Sequence, residues 1–180
     1  MREELRDLQY HVYGPSEADF EYALDVARRL VQAHLTLTQQ RIAPYRDDPE
    51  AVEAIDDEAY YAFIDTVYLW EYGLWRLQGV FEGLITNTFL PTRPAKPLPG
   101  LKKKLEAMRA AGYTIADEDY AELLEWASLR NALSHSPPEQ YRPAMLEEAD
   151  LLEYKELVER VCRQWRGDQV SGKRSGAGKP

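Results

Sequence analysis

The sequence predicts an all-α protein, an antiparallel bundle of four to five helices joined by short connections. Three observations predict it. Apolar residues recur three and four apart through each long segment, as on one face of a helix. Chain breakers collect between those segments, at Gly14-Pro15, Pro44, Pro91 to Pro99 and Pro137-Pro138. A length of 180 residues is that of one domain able to bury most of its apolar surface.

Residues 1–15 form a charged lead-in of one or two helical turns, ended by Gly14-Pro15. Ser16 with Asp19 has the pattern of an N-cap. The helix it starts runs to about Ile42, with Phe20, Leu24, Ala27, Val31, His34 and Leu35 on its buried face. A lone histidine on such a face is expected to be a hydrogen-bonded core residue rather than a ligand. Pro44 to Asp57 is an acidic connection with a helical turn around Ala51 to Ile55.

From about Glu58 to Thr88 the chain has no proline, and Phe63, Val67, Trp70, Leu74, Leu77, Phe81 and Leu84 hold one stripe. This is the expected central core helix. Its other side carries Tyr61, Ile64, Tyr68, Trp75, Ile85 and Phe89, so a second contact surface such as a partner subunit is expected. Glu71, Gln78 and Glu82 are set into that second stripe. Gly73, Gly79 and Gly83 each cost up to about 1 kcal/mol relative to alanine in a helix, which close packing by another helix would explain.

Four prolines between Pro91 and Pro99 make a stiff connector. Leu101, Leu105 and Met108 then mark a short helix closed by Gly112. Thr114 with Asp117 resembles a capping box for the next helix, which ends at His135 before Pro137-Pro138. A loop from Ser136 to Arg142 leads through Pro143 to a last helix with Tyr154, Val158, Val161 and Trp165 on one face. The domain is expected to span 1–166. Residues 167–180 have nothing to bury and are expected to be a disordered polar tail.

Composition narrows the function. The single Cys162 is expected to be a packed thiol, with no disulfide framework and a reducing compartment. No apolar run reaches membrane-spanning length and the N-terminus lacks a signal-peptide core, so a cytoplasmic protein without membrane contact is expected. P-loop, GxGxxG, CxxC and HExxH arrangements are absent, and no cofactor or metal ligand set is expected. The 22 basic and 31 acidic residues leave a formal charge of −9, which repels a phosphate backbone. Two basic runs, Arg93 to Lys104 and Arg166 to Lys179, are either a local basic groove or a solvated face and end.

The sharpest signal is Arg130-Asn131-Ala132-Leu133-Ser134-His135. Tyr120, Leu124 and Ala127 form a stripe whose next member is Asn131, and the adjoining stripe of Leu123 and Trp126 continues to Arg130. Two polar residues thus fall on the face expected to be buried, where an unpartnered amide and guanidinium would cost several kcal/mol. They are expected to line a cavity or an interface. His135, in the last turn, benefits from the helix C-terminus as a cation. Five residues rotate Arg130 and His135 roughly 140° apart, whereas Asn131 and His135 share a face. The two converge only if the helix end distorts or a second chain supplies its own copy.

Arg-x4-His with Asn after the Arg, at the end of a late helix in a helical chain, resembles the signature of the HEPN superfamily, over roughly residues 16–166. The resemblance implies an HEPN-like bundle and a metal-independent endoribonuclease, a toxin or defence-related enzyme acting as a homodimer. It implies a composite site of Arg130 and His135, Asn131 and Ser134 as substrate contacts, and products ending in a cyclic phosphate. Glu71, Gln78 and Glu82 are then second-layer groups that orient Arg130 or His135, or else interface residues. HEPN toxins paired with a nucleotidyltransferase antitoxin often carry Tyr two residues after the His, where this chain has Pro137; Tyr141 is the nearest tyrosine. The competing expectation is a non-catalytic helical dimerisation or partner-binding module, favoured by the acidity. A third, an acidic antitoxin, leaves the polar cluster unexplained.

Overall fold

In a computed structural model, residues 15–90, 98–135 and 145–171 are described, His135 by its backbone alone. The lead-in, most of the proline connector, the loop after His135 and the chain beyond Ser171 lie outside them. Among the described residues there are five α-helices and no strand: α1 Ala18–Ile42, α2 Val52–Leu84, α3 Gly100–Ala110, α4 Asp117–His135 and α5 Glu148–Val170. The all-α bundle is therefore the fold.

Contacts fix the topology as up-down-up-down for α1, α2, α4 and α5. Helix α1 runs antiparallel to α2: Arg41 pairs with Glu58 at 2.7 Å, His34 Nε2 lies 3.2 Å from the Ala62 carbonyl, and Pro15 reaches Gly83 at the other end. Helix α4 runs antiparallel to α2, since Gln78 Nε2 donates to the Trp126 carbonyl at 2.9 Å and the Tyr113 hydroxyl to the Phe89 carbonyl at 2.5 Å. Helix α5 returns antiparallel to α4 and α1, through Arg160 to Asp119 at 2.8 Å and Arg28 to Glu148 at 2.7 Å. The short α3 closes one end, where α2 continues as a π-helical turn, Ile85–Phe89.

The core is densest at that end. Trp165 stacks on Phe81 at 5.6 Å and meets Phe89 edge-on at 5.1 Å, all three fully buried. Burying each such side chain contributes roughly 1.5–3 kcal/mol. The α5 face expected from Tyr154, Val158, Val161 and Trp165 is buried in full, as is the Cys162 thiol, whose acidity burial pushes far below its ordinary level. Gly112 has φ +87° just past α3, the left-handed position where glycine has no Cβ penalty.

Several expectations need correction. Helix α2 begins at Val52 after two short 3₁₀ turns, and the bonds described for its first turns are with α1. Phe63 is therefore 47 % exposed and Val67 half-buried, while Ala62 takes the buried position. Leu35 is exposed for the same reason. Thr114 does not cap α4: its amide donates to Asp168 Oδ2 at 2.7 Å, and Asp117 instead pairs with Arg109 at 2.8 Å. Gly167 does not begin the tail either. Helix α5 continues to Val170, and Asp168 is 2 % exposed because the loop after α3 needs an acceptor.

Glycines in α2 divide by neighbour. A Cβ on Gly73 would lie 2.6 Å from Leu151 Cδ2 and 3.0 Å from Ala27 Cβ, at the crossing of three helices. A Cβ on Gly79 would meet nothing within 4 Å among the described residues. Gly73→Ala is thus expected to lower stability by about 1–2 kcal/mol, overpacking outweighing the gain in helix propensity of up to about 1 kcal/mol. Gly79→Ala in the dilute protein raises it by roughly that gain. Paired thermal melts check both signs.

Candidate functional site

The last two turns of α4 carry the motif, and their surroundings differ from the expected buried face. Trp126 packs against Tyr154 of α5 with ring centroids 5.3 Å apart. Antiparallel register then sets Glu148, the first residue of α5, level with about residue 132 of α4. Beyond that level α5 no longer covers α4. Arg130 is accordingly half-buried, while Asn131 and Ser134 are exposed. The expectation that both polar residues sit on a buried face is corrected: they lie at the rim where the bundle opens.

Within that rim the chain orients its own groups. Arg130 Nη1 donates to Asn131 Oδ1 at 3.1 Å, and Ser134 Oγ donates to the Arg130 carbonyl at 2.8 Å, satisfying an acceptor near the helix end. Among the described residues no carboxylate pairs with Arg130. Most of the other described cations are neutralised, among them Lys103 by Glu106 at 2.8 Å, Lys104 by Glu82, and Arg166 by Glu17 at 2.5 Å, whereas Arg46, Arg76, Lys102 and Arg163 likewise have no carboxylate partner among the described residues. The two basic runs are thus largely spent on internal ion pairs where they are described; Arg93, Lys96 and the residues from Lys173 lie outside. His135 belongs to α4 by its backbone, and its side chain is not described.

The three polar residues of α2 part company. Gln78 is 1 % exposed and ties α2 to α4 through the Trp126 carbonyl. Glu82 is held by Lys104. Glu71, half-buried on the same side of α2, has no hydrogen bond or ion pair among the described residues. Counting seven residues back from Gln78 and seven on from Trp126 sets Glu71 level with Leu133, within the motif. Burial raises the Glu71 carboxyl above its ordinary value of 4.5.

That shift has a sign in stability. The folded state holds the Glu71 proton more tightly than the unfolded chain, so the folded protein loses stability as pH rises from about 4.5 through the raised value, and stays lower above it. Glu71→Gln is expected to melt higher than wild type at pH 7, with the gap closing below pH 4.5. Melts across pH check it.

Sequence reasoning missed Tyr154. Its hydroxyl is buried without a hydrogen-bond partner among the described residues, directly beneath the motif helix. Burial pushes the phenol well above its ordinary range, the Glu82 charge adds to this, and the Arg130 cation opposes it. No pattern in the chain distinguishes this hydroxyl from other buried aromatic positions. A surface depression of about 680 Å³, lined by Arg41, Tyr45, Ile55 and Glu58 among others, lies at the far tip of the α1–α2 hairpin and shares nothing with the motif.

No family model, curated protein or solved structure matches the chain. Among the described residues no group of three or more His, Cys, Asp or Glu side chains is placed to hold a metal ion, and no helix is long and apolar enough to cross a membrane. Site chemistry therefore rests on the residues themselves.

Proposed function

We propose that the protein is a metal-independent endoribonuclease of HEPN type, a toxin or defence-related enzyme that works as a homodimer. One observation carries the reading. In an acidic protein most of whose described cations are paired, Arg130 has no carboxylate partner among the described residues, is oriented by Asn131, and sits in the last turns of α4, five residues before His135. An unpaired guanidinium is a bidentate clamp for phosphate. His135 is the group of the motif that exchanges a proton near neutrality.

RNA supplies its own nucleophile. One His135 takes the proton of a ribose 2′-hydroxyl, the freed oxygen bonds to phosphorus, and the bond to the 5′-oxygen breaks. The second copy's His135 gives that oxygen its proton, leaving a cyclic phosphate and a free 5′-hydroxyl. Arg130 stabilises the charge on the phosphoryl oxygens. Asn131 and Ser134, both exposed on the rim, make sugar or phosphate contacts in this reading.

Incubating the purified protein with RNA in excess EDTA and analysing the new termini tests the proposal. Cleavage with cyclic phosphate ends is expected. Cleavage that needs an added metal ion sinks it, and a folded dimer inert on every RNA favours the second reading, a non-catalytic pairing module. The exposed aromatic face of α2 supports that alternative.

A further inference from the structure

Six positions of α2 form one exposed stripe: Tyr61, Asp65, Tyr68, Tyr72, Trp75 and Gly79. The four rings are 64, 48, 49 and 42 % exposed in chain order. Together they present on the order of 400 Å² of aromatic surface, about half of what one partner contributes to a standard interface. Gly79 ends the stripe with open space around it among the described residues, none of which offsets its propensity cost of up to about 1 kcal/mol.

We infer that a second copy of this chain covers the stripe, α2 against α2, antiparallel about a two-fold axis near position 70. Steps of four, three, four, three and four residues are unchanged by reversal, so the stripe is complementary to itself. The pairing places Tyr61 over Gly79 of the other copy, Tyr68 over Tyr72, and Asp65 beside Trp75. Charge fits as well. Arg76 flanks the stripe with no carboxylate partner among the described residues, and the pairing brings it next to the other copy's Asp65, an exposed carboxylate that in its own chain lies 3.7 Å from His34 Nε2, twice by symmetry.

This deepens the ribonuclease reading and rests on its two-copy site. Residues 130–135 of α4 lie level with roughly 69–74 of α2, the level of the inferred axis. Gln78 shows that α4 flanks α2 about a quarter-turn from the stripe. A two-fold axis perpendicular to two antiparallel helices keeps whatever flanks one of them on the same side for its copy. Both motif ends therefore come to one face of the dimer, astride the axis.

Association is measured without RNA, so its failure and the failure of catalysis are distinguishable. Light scattering of the full chain at micromolar concentration is expected to give twice 20.8 kDa. Tyr72→Arg, at an exposed position, is expected to keep the helical content and weaken association on the order of 100-fold. Register is read with single cysteine variants, since the native Cys162 is buried. A mixture of Tyr68→Cys and Tyr72→Cys chains is expected to form a disulfide-linked dimer faster than either alone. Cross-linking of each variant mainly with itself indicates a parallel pairing and overturns the inference. A monomeric wild type also overturns it, and if its tyrosine fluorescence responds to a single-stranded oligonucleotide the stripe belongs to RNA instead.

Discussion

His135→Ala is expected to lower RNA cleavage by about 1,000-fold, the scale of a positioned acid–base group, with mass and helical content unchanged. Arg130→Lys is expected to lose roughly 100-fold, because an ammonium cannot present the two parallel donors of a guanidinium to a phosphate. Arg163→Ala, at an exposed position on α5, serves as the control for a lost cation away from the rim. Mixing tests the two-histidine step. In an equal mixture of wild-type and His135→Ala chains a quarter of the dimers keep both histidines, so activity is expected to fall to about a quarter of wild type. A fall only to half would show that each chain acts with its own histidine alone. Full activity in His135→Ala removes the mechanism.

Truncation after Arg166 is expected to cost about 3 kcal/mol, although it deletes a stretch with no apolar face. Asp168 accepts the Thr114 amide at 2.7 Å and the Gln164 amide at 3.2 Å, while Trp165 Nε1 donates to the Thr114 carbonyl at 3.1 Å. Removing the carboxylate leaves a partly buried backbone N–H without its charged partner, a loss of roughly 1.5–3 kcal/mol, and the last helical turn frays with it. For a chain of this size the melting temperature falls by about 6–12 °C. Truncation after Ser171 keeps every one of these bonds and is expected to leave it unchanged. Asp168→Asn, which retains an acceptor, falls between. Equal melting temperatures for both truncations would show that the buried carboxylate contributes nothing.

Asp168 also shows where a linear reading runs out. An acidic residue after a glycine in a polar stretch resembles a tail, and the partner that buries it is Thr114, 54 residues away. Helix ends were legible because their causes are local: Pro44 after Ile42 and Gly112 after α3. The α5 face was legible because helices cover it along its whole length. Phe63 and Asn131 fell on the right stripes but not in the interior, since periodicity tells which side a residue faces and not how far the covering helix extends. Arg130 was legible as a residue out of place. That among the described residues no carboxylate pairs with it, and no hydrogen-bond partner meets the Tyr154 hydroxyl below it, required the packed structure.

The unequal lengths of the helices have a further consequence. From Val52 to about Trp70, roughly 27 Å of α2 leans, among the described residues, on α1, whereas the rest is enclosed by α1, α4, α5 and α3. Two helices cannot bury enough apolar surface to match the cohesion of that body, so the molecule does not open as a single unit. Local opening of the hairpin arm costs less free energy than global unfolding and leaves the aromatic cluster around Trp165 intact. The arm is the low-stability unit, and any surface that clasps its aromatic side raises its local stability by mass action without altering the body.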